Sequence, residues 1–191
     1  MKIGLFFGSF NPVHNGHMII ANLVRELTDL DQVWMIVSPH NPHKKKSTLA
    51  NDFDRLHLVN LAIADNVHLK ASSIEFNLPQ PSYTIDTLTY LTEKHPNHQF
   101  ALIMGGDNLV SLPKWKNPEA IYKHYPIYVY NRPAANLSEA LDHAHIKILD
   151  ELPLLHLSST YVRDCIRKKI SIQYLVPEAV FEYLEGSTLY S

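Results

Sequence analysis

At 191 residues, with 46% hydrophobic and 19% charged residues, the chain has the length and apolar content for one buried core and is neither disordered nor fibrous. Its formal net charge of -2 excludes a global field that would draw it to nucleic acid or anionic lipid, so any anion must be held by a local site. The single cysteine, Cys165, excludes a disulfide framework and a CxxC zinc site, and no apolar stretch approaches the about 18 residues that span a bilayer. A cytoplasmic protein without a membrane segment is the expectation.

Short apolar runs alternate with longer amphipathic stretches from end to end, the pattern of a parallel sheet covered by helices on both faces. Ile3 to Phe7 is the first predicted strand, too short for a signal-peptide core and running straight into a glycine turn. Met18, Ile19, Leu23 and Leu27 then recur at helical spacing. Val33 to Val37 is the second strand, followed by a proline-rich loop over 38–46 and a helix marked by Leu56, Val59, Leu61 and Ile63. Val67 to Leu69 is a third strand candidate, and a second loop over 77–82 precedes a helix marked by Ile85, Leu88 and Leu91. Phe100 to Met104, Ile127 to Tyr130 and Ile146 to Leu149 complete the strands. Pro177 opens a final helix carrying Val180, Phe181 and Leu184, with Gly186 at its end. The fold class is therefore α/β: a doubly wound, Rossmann-like parallel sheet in a single domain. Ligands of such sheets bind beyond the carboxyl ends of the strands, where both loops lie.

The first strand ends in Gly8-Ser9-Phe10-Asn11-Pro12-Val13-His14-Asn15-Gly16-His17, after which the helical pattern starts. Such a turn can aim backbone N–H groups and a helix N-terminus at one point, the arrangement that binds phosphate. Gly8 and Gly16 let the backbone approach a ligand without a Cβ in the way. His14 and His17, three apart at the helix start, fall to one side and can each donate an N–H to phosphate oxygens. Surface histidines or a metal pair are the bland alternatives. The strand, glycine turn, proline and His-x-Gly-His resemble the (H/T)xGH signature of the nucleotidyltransferase superfamily, with Asn11 where the usual form has Asp.

Near the other end, Leu157-Ser158-Ser159-Thr160-Tyr161-Val162-Arg163 supplies a second signal. Ser158 or Ser159 can cap a helix, which puts Arg163 in about its first turn, where the helix dipole disfavours a cation and an anion in front would resolve the conflict. Ser159, Thr160 and Arg163 share a face by their spacing. A capped surface helix explains the segment alone. It is also similar to the superfamily's SxTxxR motif, with Leu157 in place of Ile in the ISSTxxR form.

Intermediate segments narrow the family. Pro39-His40-Asn41-Pro42-His43-Lys44 resembles the PxxxPHK loop of bacterial nicotinate mononucleotide adenylyltransferases. Asp54-Arg55-Leu56 and Pro81-Ser82-Tyr83-Thr84-Ile85-Asp86-Thr87-Leu88 resemble the DR and PSYTxDTL segments of the same family, and Met104-Gly105-Gly106-Asp107 followed by Trp115 resembles its MGxD and aromatic loop. His40 and His43 repeat a His-x-x-His spacing, but no neighbouring acid or thiol completes a zinc set, so no protein-bound metal is expected.

The resemblance covers residues 1–191 as one nucleotidyltransferase domain. It implies adenylyl transfer from ATP to nicotinate mononucleotide, giving deamido-NAD and pyrophosphate, with Mg²⁺ carried mainly on the ATP phosphates. His14, His17, Lys44 and Arg163 would surround the triphosphate. Gly8, Ser9, Phe10, Gly105, Asp107, Ser158, Ser159 and Thr160 would hold the rest of ATP, Asp107 on the ribose, although Asp107 could equally cap a helix. Thr84 and Trp115 would take the acceptor, Trp115 stacking on the pyridine ring, and Arg132, after the fifth strand, is a further phosphate candidate. A phosphopantetheine adenylyltransferase or a cytidylyltransferase of the same fold remains an alternative, opposed by the Tyr83-Thr84 and Trp115 segments. So does a non-catalytic nucleotide sensor, opposed by intact His14, His17 and Arg163. A homo-oligomer stays open.

Overall fold

The computed structural model describes residues 1–39, 49–131 and 144–191. The first strand, β1 (Lys2–Gly8), lies inside a six-stranded sheet of order β3-β2-β1-β4-β5-β6, formed with β2 (Gln32–Val37), β3 (Leu69–Ser72), β4 (Gln99–Gly105), β5 (Ile127–Tyr130) and β6 (Ile146–Leu149). Every pairing is parallel. The order reverses between β1 and β4, which makes their carboxyl ends the topological switch point of a doubly wound sheet. Phe6 pairs in register with Ile103, so Gly8 and Gly105 end the two strands side by side.

Strand residues alternate between two cores. Phe6, Val33, Met35, Val37, Ala101, Ile103 and Tyr128 pack on one face against α1 (Asn15–Glu26), α2 (Asp52–Ile63), α6 (Ser159–Arg167) and α7 (Glu178–Glu185). Ile3, Leu5, Trp34, Ile36, Leu102, Met104 and Val129 pack on the other against α3 (Thr84–Lys94), α4 (Gly106–Ser111) and α5 (Pro118–His124). The central strands read as continuous apolar runs because both of their faces are covered.

Several local expectations shift. β3 spans Leu69–Ser72 where Val67 to Leu69 was expected: Val67 is 83% exposed, and pairing of Val33 with Leu69 places Lys70, Ala71 and Ser72, two of them polar, in the ladder. An edge strand needs apolar residues less than a central one, which hid this stretch. In α1 the buried residues are Ile20, Ala21 and Val24, with Met18 and Leu23 beside them, whereas Ile19 and Leu27 face outward. Pro177 is the N-cap of α7 and not its first helical residue. The short helices α4 and α5 carry too few turns to show a period. Among the described residues no helix is long and apolar enough to cross a membrane.

Candidate active site

Beyond the carboxyl end of β1 the chain turns through Phe10, whose backbone is left-handed at φ 43° and whose ring is buried. A Cβ on Gly8 would stand 2.8 Å from that ring. The glycine therefore makes room for Phe10. Phe10 in turn meets the His17 ring edge-on, with centroids 5.0 Å apart. His14 is the N-cap of α1, and its backbone N–H donates to His17 Nδ1 at 3.2 Å, the N3-to-N-cap half of a capping box. The two imidazoles stack with centroids 3.7 Å apart. A Cβ on Gly16 would come within 3.0 Å of His14 Nδ1, so Gly16 too clears space for a ring. Because His17 Nδ1 accepts, neutral His17 carries its proton on Nε2 and offers a donor there. His14 is only 4% exposed and His17 is half-buried.

The C-terminal motif folds onto this turn. Ser158 is the N-cap of α6, its side chain accepting from the Tyr161 N–H at 3.2 Å. Ser159 donates its hydroxyl proton to the Pro12 carbonyl at 2.9 Å, and Arg163 Nη1 donates to the Asn11 carbonyl at 2.6 Å. Arg163 Nη2 donates to Thr160 Oγ1 at 3.2 Å. Asn15 clamps a later stretch, its Nδ2 donating to the Tyr174 and Val176 carbonyls at 2.6 and 3.2 Å. Ser159 thus fixes the turn, and Thr160, as an acceptor, helps to aim the guanidinium. Among the described residues no carboxylate forms an ion pair with Arg163, and the oxygens it donates to are neutral. Burial, then the nearby Arg167, draws its pKa below the ordinary value.

Two further elements reach the same end of the sheet. β4 runs into α4 with Gly105 as the N-cap, so Asp107 is an exposed residue of the first turn and the capping alternative for it is discarded. Thr84 opens α3, and by helix geometry the N–H groups of Thr84 and Ile85 have no partner within the helix. Trp115 is half-buried, packed against the second core, with Nε1 donating to Ser111 Oγ at 3.3 Å. Lys116 ties its loop to α3: Nζ lies 2.8 Å from Asp86 Oδ2 and 4.9 Å from the centre of the Tyr83 ring. The acceptor segments singled out by resemblance are therefore neighbours.

A family model described as cytidylyltransferase-like matches residues 5–165. A relative from Flavobacterium psychrophilum named "Probable nicotinate-nucleotide adenylyltransferase" is 53% identical over 100% of this chain and 99% of its own, and one of the same name from Cytophaga hutchinsonii is 51% identical over 100% and 99%. The chain belongs to the nicotinate-nucleotide adenylyltransferase family. A solved Plasmodium falciparum nicotinic acid mononucleotide adenylyltransferase complexed with NaAD shares the fold, with a TM-score of 0.82, 18% identity and 99% and 97% of the two chains covered.

Lys44 and Arg132, with His40 and His43, lie outside the described residues. Sequence reading gave no role to Arg55, which the structure places at the centre of the site's support. It is 0% exposed, with Nε donating to the Ala50 carbonyl at 3.1 Å, Nη1 to Ser9 and Ser38 at 2.5 and 2.9 Å, and Nη2 to Pro39 at 3.3 Å and to Asp52 Oδ1 at 2.6 Å. One guanidinium thus joins the loops after β1 and β2 to the start of α2. A signal existed: Arg55 falls in one helical stripe with Leu58, Val59 and Ala62, a cation on a buried face. Asn11, the departure from the usual motif, is buried and accepts the Ala50 N–H on Oδ1 at 3.0 Å, a contact that needs no charge.

Proposed function

We propose that the chain catalyses adenylyl transfer from ATP to nicotinate mononucleotide, producing deamido-NAD and pyrophosphate for NAD biosynthesis. The observation that supports this most is the meeting of the two end motifs, with Arg163 and Ser159 hydrogen-bonded to Asn11 and Pro12 beside the stacked histidines. A phosphate oxygen of the acceptor attacks the α-phosphorus of ATP. The new P–O–P bond forms as the bond from the α-phosphorus to the bridging oxygen breaks, and the electron pair leaves on pyrophosphate.

A phosphate monoester already carries close to two charges near neutral pH, so the site needs no strong base and no covalent intermediate. Alignment and neutralisation of charge suffice. His17 Nε2–H and the Arg163 guanidinium supply fixed donors toward the triphosphate, with His14 as the ring that sets His17 and Lys44 as a further cation. Asp107 takes the ribose hydroxyls. The N–H groups of Thr84 and Ile85 face the nicotinate carboxylate, where a carboxamide would leave a donor against a donor, and Trp115 stacks on the ring. Among the described residues no three His, Cys, Asp or Glu side chains group so as to hold a metal ion. Mg²⁺ bound through the phosphates would neutralise part of their charge.

The test is pyrophosphate release by the purified protein with ATP, Mg²⁺ and a panel of nicotinate mononucleotide, nicotinamide mononucleotide and phosphopantetheine, with a parallel CTP series. Nicotinate mononucleotide with ATP should give the highest kcat/KM. Faster use of phosphopantetheine or CTP overturns the substrate assignment, and no turnover with any pair favours a sensor.

A further inference from the structure

Glu75 is a buried acid for which neither the motifs nor the adenylyl-transfer chemistry has a use. It sits in a short 3₁₀ turn, Ile74–Asn77, just after β3, and is 2% exposed. Thr87, itself 0% exposed and in the first turns of α3, donates to Glu75 Oε1 at 2.8 Å. The Ser38 and Ser82 hydroxyls stand close enough to the carboxyl to favour its charged form. Gln80 Nε2 donates to the Glu75 main-chain carbonyl at 3.0 Å. Burial pushes the carboxyl up from its ordinary value, and the three hydroxyls pull it back. The Thr87 bond fixes the carboxyl to the first turns of α3, and the Gln80 bond fixes the following loop to the same residue.

The three hydroxyls come from three different segments. Ser38 directly follows β2, Ser82 lies two residues before Thr84, and Thr87 belongs to α3 itself. Ser38 also receives Arg55 on its carbonyl, while Arg55 holds the Ser9 carbonyl on the phosphate side. A chain of polar groups, buried at Arg55, Glu75 and Thr87 and half-buried at its serines, therefore runs from Ser9 through Arg55, Ser38 and Glu75 to Ser82 and Thr87. It joins the turn that would grip the triphosphate to the loop that opens α3.

We propose that Glu75 is a positioning residue that sets the 77–83 loop and the first N–H groups of α3 against the phosphate turn, and so determines the affinity for the pyridine mononucleotide acceptor. This rests on the acceptor reading given above. Glu75 contacts neither nucleotide; it acts through Ser82 and Thr87. Replacing one carboxylate oxygen by an NH₂ group puts a donor against a hydroxyl that must reverse or be left unpaired, and the loop is the exposed, yielding partner.

The test is steady-state kinetics of Glu75→Gln, Ser82→Ala and the double variant, varying each substrate at saturation of the other. The KM for nicotinate mononucleotide should rise about tenfold in Glu75→Gln and about threefold in Ser82→Ala, with the KM for ATP within twofold of wild type. The double variant should be no worse than Glu75→Gln, because both changes break one linkage. Equal rises in both KM values, or none, overturn the proposal and leave Glu75 a general structural acid. Additive effects overturn the route through Ser82. Should Glu75→Gln fail to fold, Ser82→Ala and Thr87→Val, each of which removes one donor, carry the same acceptor-specific expectation. Wild-type turnover with the panel reports separately on the substrate: if another phosphorylated acceptor is preferred, the variants are measured with that acceptor, and the same split in KM decides.

Discussion

Replacing Arg55 by Ala removes a group that joins the loops after β1 and β2 to the start of α2. The guanidinium is wholly buried and satisfies the carbonyls of Ser9, Ser38, Pro39 and Ala50 together with Asp52. Asp52 is 38% exposed and can rehydrate, so its loss counts for little. The Pro39 contact is long at 3.3 Å. What remains is three carbonyls served by a charged donor, each bond contributing about 1.5 to 3 kcal/mol, partly offset by the cost of desolvating the cation in the wild type. A net loss of about 4 kcal/mol follows, which for a domain of this size lowers the melting temperature by about 8 to 16 °C. Circular dichroism melts and urea titrations would read it. Arg55→Met keeps most of the volume and none of the donors, so it should recover little. A melt within about 2 °C of wild type for Arg55→Ala, or full recovery in Arg55→Met, would refute the hydrogen-bond accounting.

Other outcomes follow from the same geometry. His17→Ala should lower kcat by about 10² to 10³ while weakening ATP binding far less, since a fixed donor acts most on the transition state; wild-type turnover would remove His17 from the chemistry. Arg163→Lys should be impaired, though less than Arg163→Ala, because an ammonium cannot contact the Asn11 carbonyl and Thr160 as a planar fork does; equal kcat/KM in all three proteins would make α6 merely structural. Among the described residues the buried Tyr190 hydroxyl has no hydrogen-bond partner, so Tyr190→Phe should melt no lower than wild type, and a drop of more than about 3 °C would reveal a hidden partner. Lys2 and the Tyr128 hydroxyl hold the Asp29 pKa down from 3.8 to about 2, so its contribution is complete above 3.8 and lost as pH falls through 2. Asp29→Asn should therefore shift the urea midpoint at neutral pH and shift it much less near pH 2, the effect staying below about 1 kcal/mol because both side chains of the ion pair are at least half exposed.

By itself the sequence determined the parallel sheet, the central strands, the helix α3 and the two end motifs, because these depend on local period and on residue types at short spacing. Ile127–Tyr130 and Ile146–Leu149 are strands over the very residues their apolar runs mark. Edge strand β3 was misplaced by two residues at its start, since its limits come from pairing with β2 and not from its own composition. Tertiary structure alone decided what the motif residues touch. Gly8 and Gly16 yield space to Phe10 and His14, and Ser159 is committed to Pro12, 147 residues away in the chain. Arg55 and Glu75 matter through carbonyls and hydroxyls contributed by segments that meet only once the sheet has formed. No residue type or spacing announces such partners: a buried charge takes its role from what surrounds it, and those surroundings exist only in the folded chain.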